Sequence, residues 1–490
     1  MAKSYLELFS ELNKIPRPSH HETLVADYLC RFAEERGLKY RRDAENCVVI
    51  EKPASPGCEE AEPVVILNHM DMVCVAKDDY LRDGRKYNPL TDEIRPYVET
   101  DAQGARWMKA EGTSLGADNG MGLSMALAVL DDDTLVHPAI EVLTTTNEED
   151  GMSGAEALST DFIRGRKVLN LDSEAYNEIT VGAAGACLQV GKWAAQYEAV
   201  PEDCSFCRIT MDGGLGGHSG VDINKGRCSC LKELANCLNG EIAGKLNSSV
   251  FVCAMSGGMA NASIASCAEV VLAVKTAELG SVKAMVAQWN ADIQRKYAET
   301  DAAVSMRIED ADTCKTYVMN APAILGCVYD LPFGVMAMRE DMPGTVMTSN
   351  NIGVLKMAAD EITISCHTRS FDNDEMHALA SRIRTIMSGH NATDVEMLMD
   401  TGAWMEREDS PLLALTCKTF NDVLGFEPKK VAMHFVLEAA YYVEKYPGIE
   451  MASIGPMIIE PHSTSERVNL DTADNIWRVT VELLRRLAQC

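Results

Sequence analysis

The stretch Val64-Val65-Ile66-Leu67-Asn68-His69-Met70-Asp71 joins a run of four apolar residues to two side chains suited to a metal site, His69 and Asp71. A short, uninterrupted apolar run is typical of a strand that is buried on both faces in a parallel sheet. In open α/β sheets, ligands collect at the carboxyl ends of the strands. The stretch therefore predicts a buried strand that delivers His69 and Asp71 to one edge of a sheet.

Two further segments repeat this pattern. The apolar run 139–144 precedes Glu148 and Glu149, and the run 167–171 precedes Asp172. Because the carboxyl ends of parallel strands lie at the same edge of a sheet, these acids are expected near His69. The repeated pattern predicts an α/β fold.

Two more candidate ligands are indicated by features other than a preceding strand. Asp118 lies among glycines in the segment 115–120, directly before an apolar run that predicts a helix, and His462 follows Pro461. After His462, apolar residues recur on one face of a predicted closing helix at 471–487.

These residue types suit a pair of metal ions. Two divalent ions about 3.5–4 Å apart need a bridging carboxylate, terminal histidine or carboxylate ligands, and a further carboxylate as base. A single His or Asp beside a turn is usually an ordinary polar residue, so the prediction rests on the shared context. The set predicts a two-metal hydrolase.

The same residues carry a resemblance over nearly the whole chain. The sequence resembles the bacterial aminoacyl-histidine (Xaa-His) dipeptidases, a branch of the di-zinc exopeptidases. The landmarks are the segments 69–73, 113–120, 213–220, 256–261 and 461–463. The resemblance implies a catalytic domain whose mixed, mostly parallel sheet is sandwiched by helices, with an inserted α+β lid domain.

The resemblance also implies the ligand set. Asp118 bridges two metal ions, His69 and Asp172 complete the site of one ion, and Glu149 and His462 complete the other. Zinc is the expected metal, although the same donors accept manganese or cobalt.

Further roles follow from the resemblance. Glu148 is the expected general base that activates a metal-bridging water, and Asp71 is expected to accept from the ring N–H of His69. His218 is the expected donor to the oxyanion, and Asn261 and Arg369 are expected to bind the free carboxylate of the substrate. A guanidinium suits that task because it donates two parallel hydrogen bonds.

The implied activity is hydrolysis of dipeptides, of the Xaa-His type, with broad tolerance for the N-terminal residue. The segment 434–440 departs from the family pattern, because Val436 and Ala440 stand among positions where the family has small, glycine-containing sequence. Their bulk on the amino side of the substrate leaves the N-terminal preference open.

The spacing of the ligands sets the domain organisation. Because His462 lies far along the chain from Asp172, we expect a catalytic domain in two parts, residues 1–187 and 396–490, around an insertion at 188–395. Strand-like runs near 269–274 and 361–365 alternate there with helix-like stretches. The size of the insertion suggests a doubled ferredoxin-like unit.

Composition narrows the function classes. A chain of 490 residues with a net charge of −28 is repelled by nucleic acid and by anionic membranes. Neither a signal sequence nor an 18-residue apolar run is found, and the 17 cysteines do not resemble a disulfide framework. We expect a cytoplasmic protein that binds small peptides, as a monomer or a homodimer.

Three alternatives differ in their observable consequences. An N-acyl-amino-acid deacylase of the same superfamily would use the same metals and base. A non-catalytic binding protein would lack a ligand or the base, and here all are present. A nucleotide-binding oxidoreductase is disfavoured because Ser219 stands where its glycine motif needs the last glycine.

Overall fold

The protein is described here by a computed structural model that covers residues 2–243 and 248–489. The chain divides into two compact units. The first unit comprises Met1–Gly182, Met405–Ala432 and Glu438–Cys490, and the second comprises Ala183–Trp404 and Met433–Leu437. The predicted domain limits at 187/188 and 395/396 fall inside two strands of the second unit.

The secondary structure is numbered in chain order. The strands are β1 Lys39–Arg42, β2 Val48–Lys52, β3 Val64–His69, β4 Leu81–Arg82, β5 Arg85–Lys86, β6 Pro96–Thr100, β7 Arg106–Ala110, β8 Ile140–Thr145, β9 Lys167–Asn170, β10 Glu178–Ala183, β11 Gly185–Ala194, β12 Tyr197–Ala199, β13 Cys204–Asp212, β14 Val250–Gly257, β15 Ala268–Lys275, β16 Ser305–Asp310, β17 Thr316–Val318, β18 Gly334–Met338, β19 Val346–Met357, β20 Glu361–Ser370, β21 Asp394–Thr401, β22 Trp404–Met405, β23 Lys429–Met433, β24 Glu450–Ser453, β25 Ile458–Ile459 and β26 Arg467–Asn469. The α-helices are α1 Tyr5–Leu12, α2 Thr23–Glu35, α3 Ala117–Asp131, α4 Ser153–Ala157, α5 Cys230–Asn236, α6 Leu279–Lys296, α7 Ala321–Asp330, α8 Asn373–Gly389, α9 Pro411–Leu424, α10 Ala439–Lys445 and α11 Leu470–Leu487. A π-helical segment, Cys237–Ala243, and a 3-10 turn, Thr276–Glu278, complete the described elements.

The first unit is built on a mixed sheet in the order β1-β2-β8-β3-β9-β24-β10-β22, with β23 paired to β10. The central pairs β8/β3, β3/β9 and β9/β24 are parallel. The flanking pairs β1/β2, β2/β8 and β24/β10 are antiparallel. The predicted α/β fold with a mixed sheet is confirmed, and parallel pairing is concentrated at its centre.

The predicted strand ends lie where the sequence pattern places them. β3 is buried along its whole length and ends at His69. Its parallel neighbours β8 and β9 end shortly before Glu148 and Asp172, at the same edge of the sheet. The burial of β3 on both faces, between two parallel neighbours, explains the uninterrupted apolar run Val64–Leu67.

The second unit carries an antiparallel sheet in the order β16-β13-β15-β14-β19-β20-β11-β21, with β18 paired to β19. One half, β13-α5-β14-β15-α6-β16, has the chain order and strand order of a ferredoxin-like βαββαβ unit. The other half, β11-α7-β19-β20-α8-β21, repeats it, with the first half inserted after β11. The two halves meet at β14 and β19, so the α+β unit is a doubled ferredoxin-like one.

The two faces of β20 differ. Ile362, Ile364 and Cys366 are part of an apolar core that also contains residues of α6, α7 and α8. Because side chains alternate along a strand, His367 and Arg369 lie on the opposite face. The face of this sheet opposite the apolar core is therefore polar at β20.

Two general expectations can be compared with the structure. Within residues 2–243 and 248–489, no helix is both long enough and apolar enough to cross a membrane. The cysteines of this part of the chain are free thiols.

Candidate functional site

Three of the predicted ligands meet at the carboxyl edge of the parallel strands. His69 ends β3, Asp172 follows β9, and Asp118 lies at the start of α3, where its own backbone is extended rather than helical. The Nε2 atom of His69 lies 3.1 Å from Oδ1 of Asp118 and 3.3 Å from Oδ1 of Asp172. The three side chains form one group that could hold a metal ion.

A second group shares Asp118. The Nε2 atom of His462 lies 3.1 Å from Oδ2 of Asp118 and 2.8 Å from Oε2 of Glu149. The two oxygens of Asp118 therefore face two different histidines, as a carboxylate between two ions must. With bond lengths of about 2.0–2.2 Å, tetrahedral ligand atoms lie roughly 3.3–3.6 Å apart. The distances of 3.1 and 3.3 Å in the first group are close to this spacing, whereas the 2.8 Å between His462 and Glu149 is shorter.

The buried polar atoms of this cluster lack sufficient partners within the protein. Oε1 of Glu149 and Oδ1 of Asp172 are buried and make no hydrogen bond. In the described part of the chain, the ion pairs of Asp118, Glu149 and Asp172 run to histidine rings and not to lysine or arginine. Buried carboxylates require compensating charge, so the donor set fits divalent metal ions.

The electrostatics of the cluster follow from burial and from the crowding of acids. Burial raises the pKa of Asp172 to about 6, and His69 only partly offsets this. For His69, burial opposes the charged ring, but the carboxylates around it raise its pKa well above the usual value. Hydrogen bonds to Asp118 and Glu149 raise the pKa of His462 to about 11.

Glu148 lies beside this cluster and forms a third group with His69 and Glu149. Burial raises the pKa of Glu148 well above its usual range, and the charges of Asp172 and Glu438 act in the same direction. A carboxylate with a raised pKa binds a proton more strongly than an exposed glutamate does, which favours it as a general base. The structure thus brings the predicted base next to the predicted ligands.

Asp71 contacts more than the histidine expected for it. Its Oδ1 lies 3.4 Å from Nδ1 of His69, which is long for a hydrogen bond. The same carboxylate accepts hydrogen bonds from the backbone N–H groups of Glu148, at 3.1 Å, and Glu149, at 3.2 Å. It also accepts from the hydroxyl of Ser19 at 2.8 Å. Asp71 therefore fixes the loop that carries Glu148 and Glu149.

Glu466 was missed by the sequence reasoning. Its buried carboxylate accepts from the backbone N–H groups of Leu115, Gly116 and Ala117, at 2.7, 3.0 and 2.8 Å. These residues directly precede Asp118. The only signal in the sequence was an acid four residues after His462, in Pro461-His462-Ser463-Thr464-Ser465-Glu466.

Arg17 was also missed, and no sequence signal pointed to it. Its fully buried guanidinium donates to the carbonyl oxygens of Met70, Asp71 and Gly116, at 3.2, 3.1 and 2.6 Å. Gly116 has φ of +67°, and a Cβ there would lie 2.5 Å from Sδ of Met72. Glycine is required at this close approach, where the two ligand-bearing loops share one buried cation.

The second unit holds the other predicted residues. Nδ1 of His218 accepts from the backbone N–H groups of Gly220 and Val221, both at 3.2 Å. A ring nitrogen that accepts carries no proton, so the proton of the neutral ring lies on Nε2. Burial, together with the charge of Arg369, lowers the pKa of His218 to about 4 and keeps the ring neutral.

Arg369 and Asn261 lie in the same unit. Nη2 of Arg369 donates to the hydroxyl of Ser219 at 3.4 Å, while Nε is buried without a partner. Burial lowers the pKa of Arg369 to about 10, so the side chain is cationic at neutral pH. The backbone oxygen of Asn261 accepts from the amide of Asn351 at 3.3 Å.

Two histidines that the sequence reasoning did not select accompany Arg369. His367 and His434 are both buried in the second unit. His367 has no hydrogen-bond partner at either ring nitrogen, and His434 has none at Nδ1. Alternation along β20 could have placed His367 on the face of Arg369, but not its lack of partners.

The family follows from comparison with known proteins. The model of the peptidase family M20/M25/M40 matches residues 65–486. The chain belongs to this family. It is therefore a peptidase, and the matched segment contains all five predicted metal ligands and Glu148.

Relatives of this M20 peptidase match over nearly its full length. It is 31% identical to the cytosol non-specific dipeptidase of Escherichia coli over 483 residues, which are 98% of this chain and 97% of that protein. The crystal structure of aminoacylhistidine dipeptidase from Vibrio alginolyticus superposes with a TM-score of 0.85 at 30% identity, covering 98% and 96% of the two chains. A tripeptidase from Staphylococcus aureus, at 14% identity and a TM-score of 0.58 with complete coverage of both chains, shares the fold.

Proposed function

We propose that this M20 peptidase is a metal-dependent dipeptidase. The observation that carries the proposal is the position of Asp118, whose two carboxylate oxygens face His69 and His462 at 3.1 Å each. The names and the coverage of the relatives, a non-specific dipeptidase and an aminoacylhistidine dipeptidase, support the same activity.

Five side chains would hold two divalent ions. Asp118 would contact both ions, His69 and Asp172 the first, and Glu149 and His462 the second. Such ions would polarise the scissile carbonyl and make water more acidic. We expect zinc, although the same donor set accepts manganese or cobalt.

Glu148 is the general base in this proposal. It takes a proton from the attacking water and passes it to the leaving amine. Its burial and its raised pKa suit both steps, because the group can hold the proton between them. Asp71 keeps Glu148 in place through its hydrogen bond to the Glu148 backbone.

The second unit recognises the substrate. We infer that the second unit is the predicted insertion and that it acts as the lid domain. The Nε2–H of His218 is free to donate to the developing oxyanion, because Nδ1 already accepts two backbone hydrogen bonds. Arg369 and Asn261 bind the free carboxylate of the dipeptide, for which the buried, unpaired Nε of Arg369 is suited.

Xaa-His dipeptides are the first substrates to test, and cytosolic dipeptide turnover is the expected setting. The experiment measures amino acids released from a dipeptide panel by zinc-loaded protein, with a chelator-treated control. Chelator-sensitive release supports the proposal. Release from N-acyl amino acids but from no dipeptide would instead identify a deacylase with the same metals and base.

A further inference from the structure

One face of the sheet in the second unit is polar and buried at β19 and β20. Ser349 lies directly opposite Arg369, and Asn351 directly opposite His367, in the antiparallel pairing of these strands. Residues that are paired in this way, or two apart in a strand, share a face. His434 joins the same group, because its Nε2 lies 2.8 Å from the hydroxyl oxygen of Ser349.

The polar atoms of this face are short of partners. His367 is 6% exposed, Arg369 3% and His434 7%. Nevertheless both ring nitrogens of His367, Nε of Arg369 and Nδ1 of His434 make no hydrogen bond. Each neutral imidazole has one N–H donor and one acceptor nitrogen, so the unpaired donors include Nε–H of Arg369 and one ring N–H of His367. A buried donor without an acceptor costs about 1–3 kcal/mol, so these two donors on one face indicate a ligand that accepts from both.

The charge on this face has one sign. Burial lowers the pKa values of His367 and His434, and the charges that add to the effect are those of Arg369 and His218. The acid beside His218 is Asp222, which is already paired with Lys225 at 2.7 Å and Arg227 at 3.3 Å. Among the residues that the structure describes, the buried guanidinium of Arg369 has no carboxylate partner, so a ligand with negative charge suits it.

We propose that His367 and His434 form, beside Arg369, a subsite for a second carboxylate, so that the enzyme prefers dipeptides with a C-terminal aspartate or glutamate. This inference rests on the proposed function, in which Arg369 binds the C-terminal carboxylate. His367 stands two residues along β20, about 6.6 Å from Arg369, so the two side chains offer neighbouring binding positions. The side-chain carboxylate of the leaving residue fills the second one.

Other side chains on the C-terminal residue of the dipeptide bind less strongly to this face. A carboxamide or a neutral imidazole offers His367 a neutral hydrogen bond, which is about half as strong as one to a carboxylate. A protonated imidazole would be repelled by Arg369. Asp and Asn have nearly the same shape, so a difference between them as C-terminal residues measures the effect of the carboxylate charge.

The test uses the zinc-loaded, full-length protein and matched substrates. We expect kcat/KM to be roughly tenfold or more higher for Ala-Asp than for Ala-Asn, and for Ala-Glu than for Ala-Gln. His367→Leu should bring both ratios close to one while Ala-Asn is still hydrolysed, which shows that the variant is folded. His377→Gln, which changes an exposed histidine on α8, should leave the ratios unchanged.

Binding measurements separate this inference from the proposed function. Calorimetry of free aspartate against free asparagine reports on the subsite even if no dipeptide is cleaved. Stronger binding of aspartate that is lost in His367→Leu supports the subsite. Equal binding and equal turnover of the acid and amide partners overturn it, as does a faster reaction with Ala-His than with Ala-Asp. Absence of all dipeptide hydrolysis counts against the proposed function alone.

Discussion

The carboxylate of Glu466 accepts a hydrogen bond of 3.0 Å from the backbone N–H of Gly116, and it accepts two more from the neighbouring residues on either side. Gly116 is in turn bound at its carbonyl oxygen by Arg17. Glu466 lies four residues after one predicted ligand, His462, and Gly116 two residues before another, Asp118. This contact joins the two segments that carry these two predicted ligands.

Glu466→Gln should therefore weaken metal binding. One of the two side-chain oxygens becomes an NH₂ group, which cannot accept from the backbone N–H groups. We expect metal affinity to fall by about 10- to 100-fold, as for other groups that orient metal ligands. Competition with a chromogenic chelator measures the affinity. Glu460→Gln, at an exposed acid of the same segment, serves as the control; equal affinities for both variants would rule out the role of Glu466.

Glu148→Gln should lose hydrolysis while keeping its metals. The amide cannot take a proton from water, and the loss of general base catalysis lowers kcat by roughly 10²–10⁴-fold. Metal content by elemental analysis and turnover of a dipeptide are measured on the same sample. The neighbouring exposed acid provides the control, Asp150→Asn, which should behave as wild type. Near-normal turnover by Glu148→Gln would remove it as the base.

Arg369→Lys should raise KM for dipeptides with a free carboxylate. Lysine retains the charge but not the fork of parallel donors, so the loss is specific to carboxylate recognition. The comparison is between a dipeptide and its C-terminal amide, for which the variant should change KM far less. Arg382→Lys, at an exposed position of α8, controls for the substitution itself. An equal effect on free and amidated substrates would contradict the assignment.

Removal of the metals should lower the thermal stability of the protein. Without ions, the ion pairs of Asp118, Glu149 and Asp172 among residues 2–243 and 248–489 involve histidine rings and no lysine or arginine. Ligands that bind only the folded state stabilise it by mass action. When zinc is added back to protein from which a chelator has removed the metals, Tm should therefore rise with the zinc concentration. Calorimetric scans with increasing zinc measure this. A Tm that does not respond to zinc would argue against the metal centre.

Because of Glu438, we expect the stability of the metal-free protein to depend on pH. Burial raises the pKa of Glu438 to about 8, so the folded state holds a proton that the unfolded state loses near pH 4.5. Stability should therefore fall as the pH rises between these two values. In Glu438→Gln that fall should be smaller, as measured by urea unfolding across this range. Glu444→Gln, at an exposed acid on α10, the helix that Glu438 directly precedes, should show the wild-type fall.

Much of the fold could be predicted from local sequence. The apolar runs before His69 and Asp172 became β3 and β9, and the closing helix, predicted at 471–487, spans Leu470–Leu487. The doubled ferredoxin-like unit was also expected, although no repeat is visible in the sequence. Its two halves share an arrangement of strands, which tolerates many different apolar residues.

The partners of the site residues could not be predicted in the same way. Asp71 was expected to contact a histidine, and its additional bonds to the Glu148–Glu149 loop appear only in the folded chain. The sequence analysis assigned no role to His367 or His434. Their meaning depends on which buried atoms lack hydrogen bonds, and that is a property of packing.

The sequence by itself determined that His69, Glu149 and Asp172 meet at one edge of the sheet, because short apolar runs specify buried strands and parallel strands end on the same side. Only the tertiary structure decided how they are held. Arg17 reaches Gly116, and Glu466 reaches the same loop from 350 residues away, through backbone atoms that every residue type possesses. Such contacts leave no pattern in the sequence, since hydrogen bonding to the backbone does not depend on the identity of the residue that is bound.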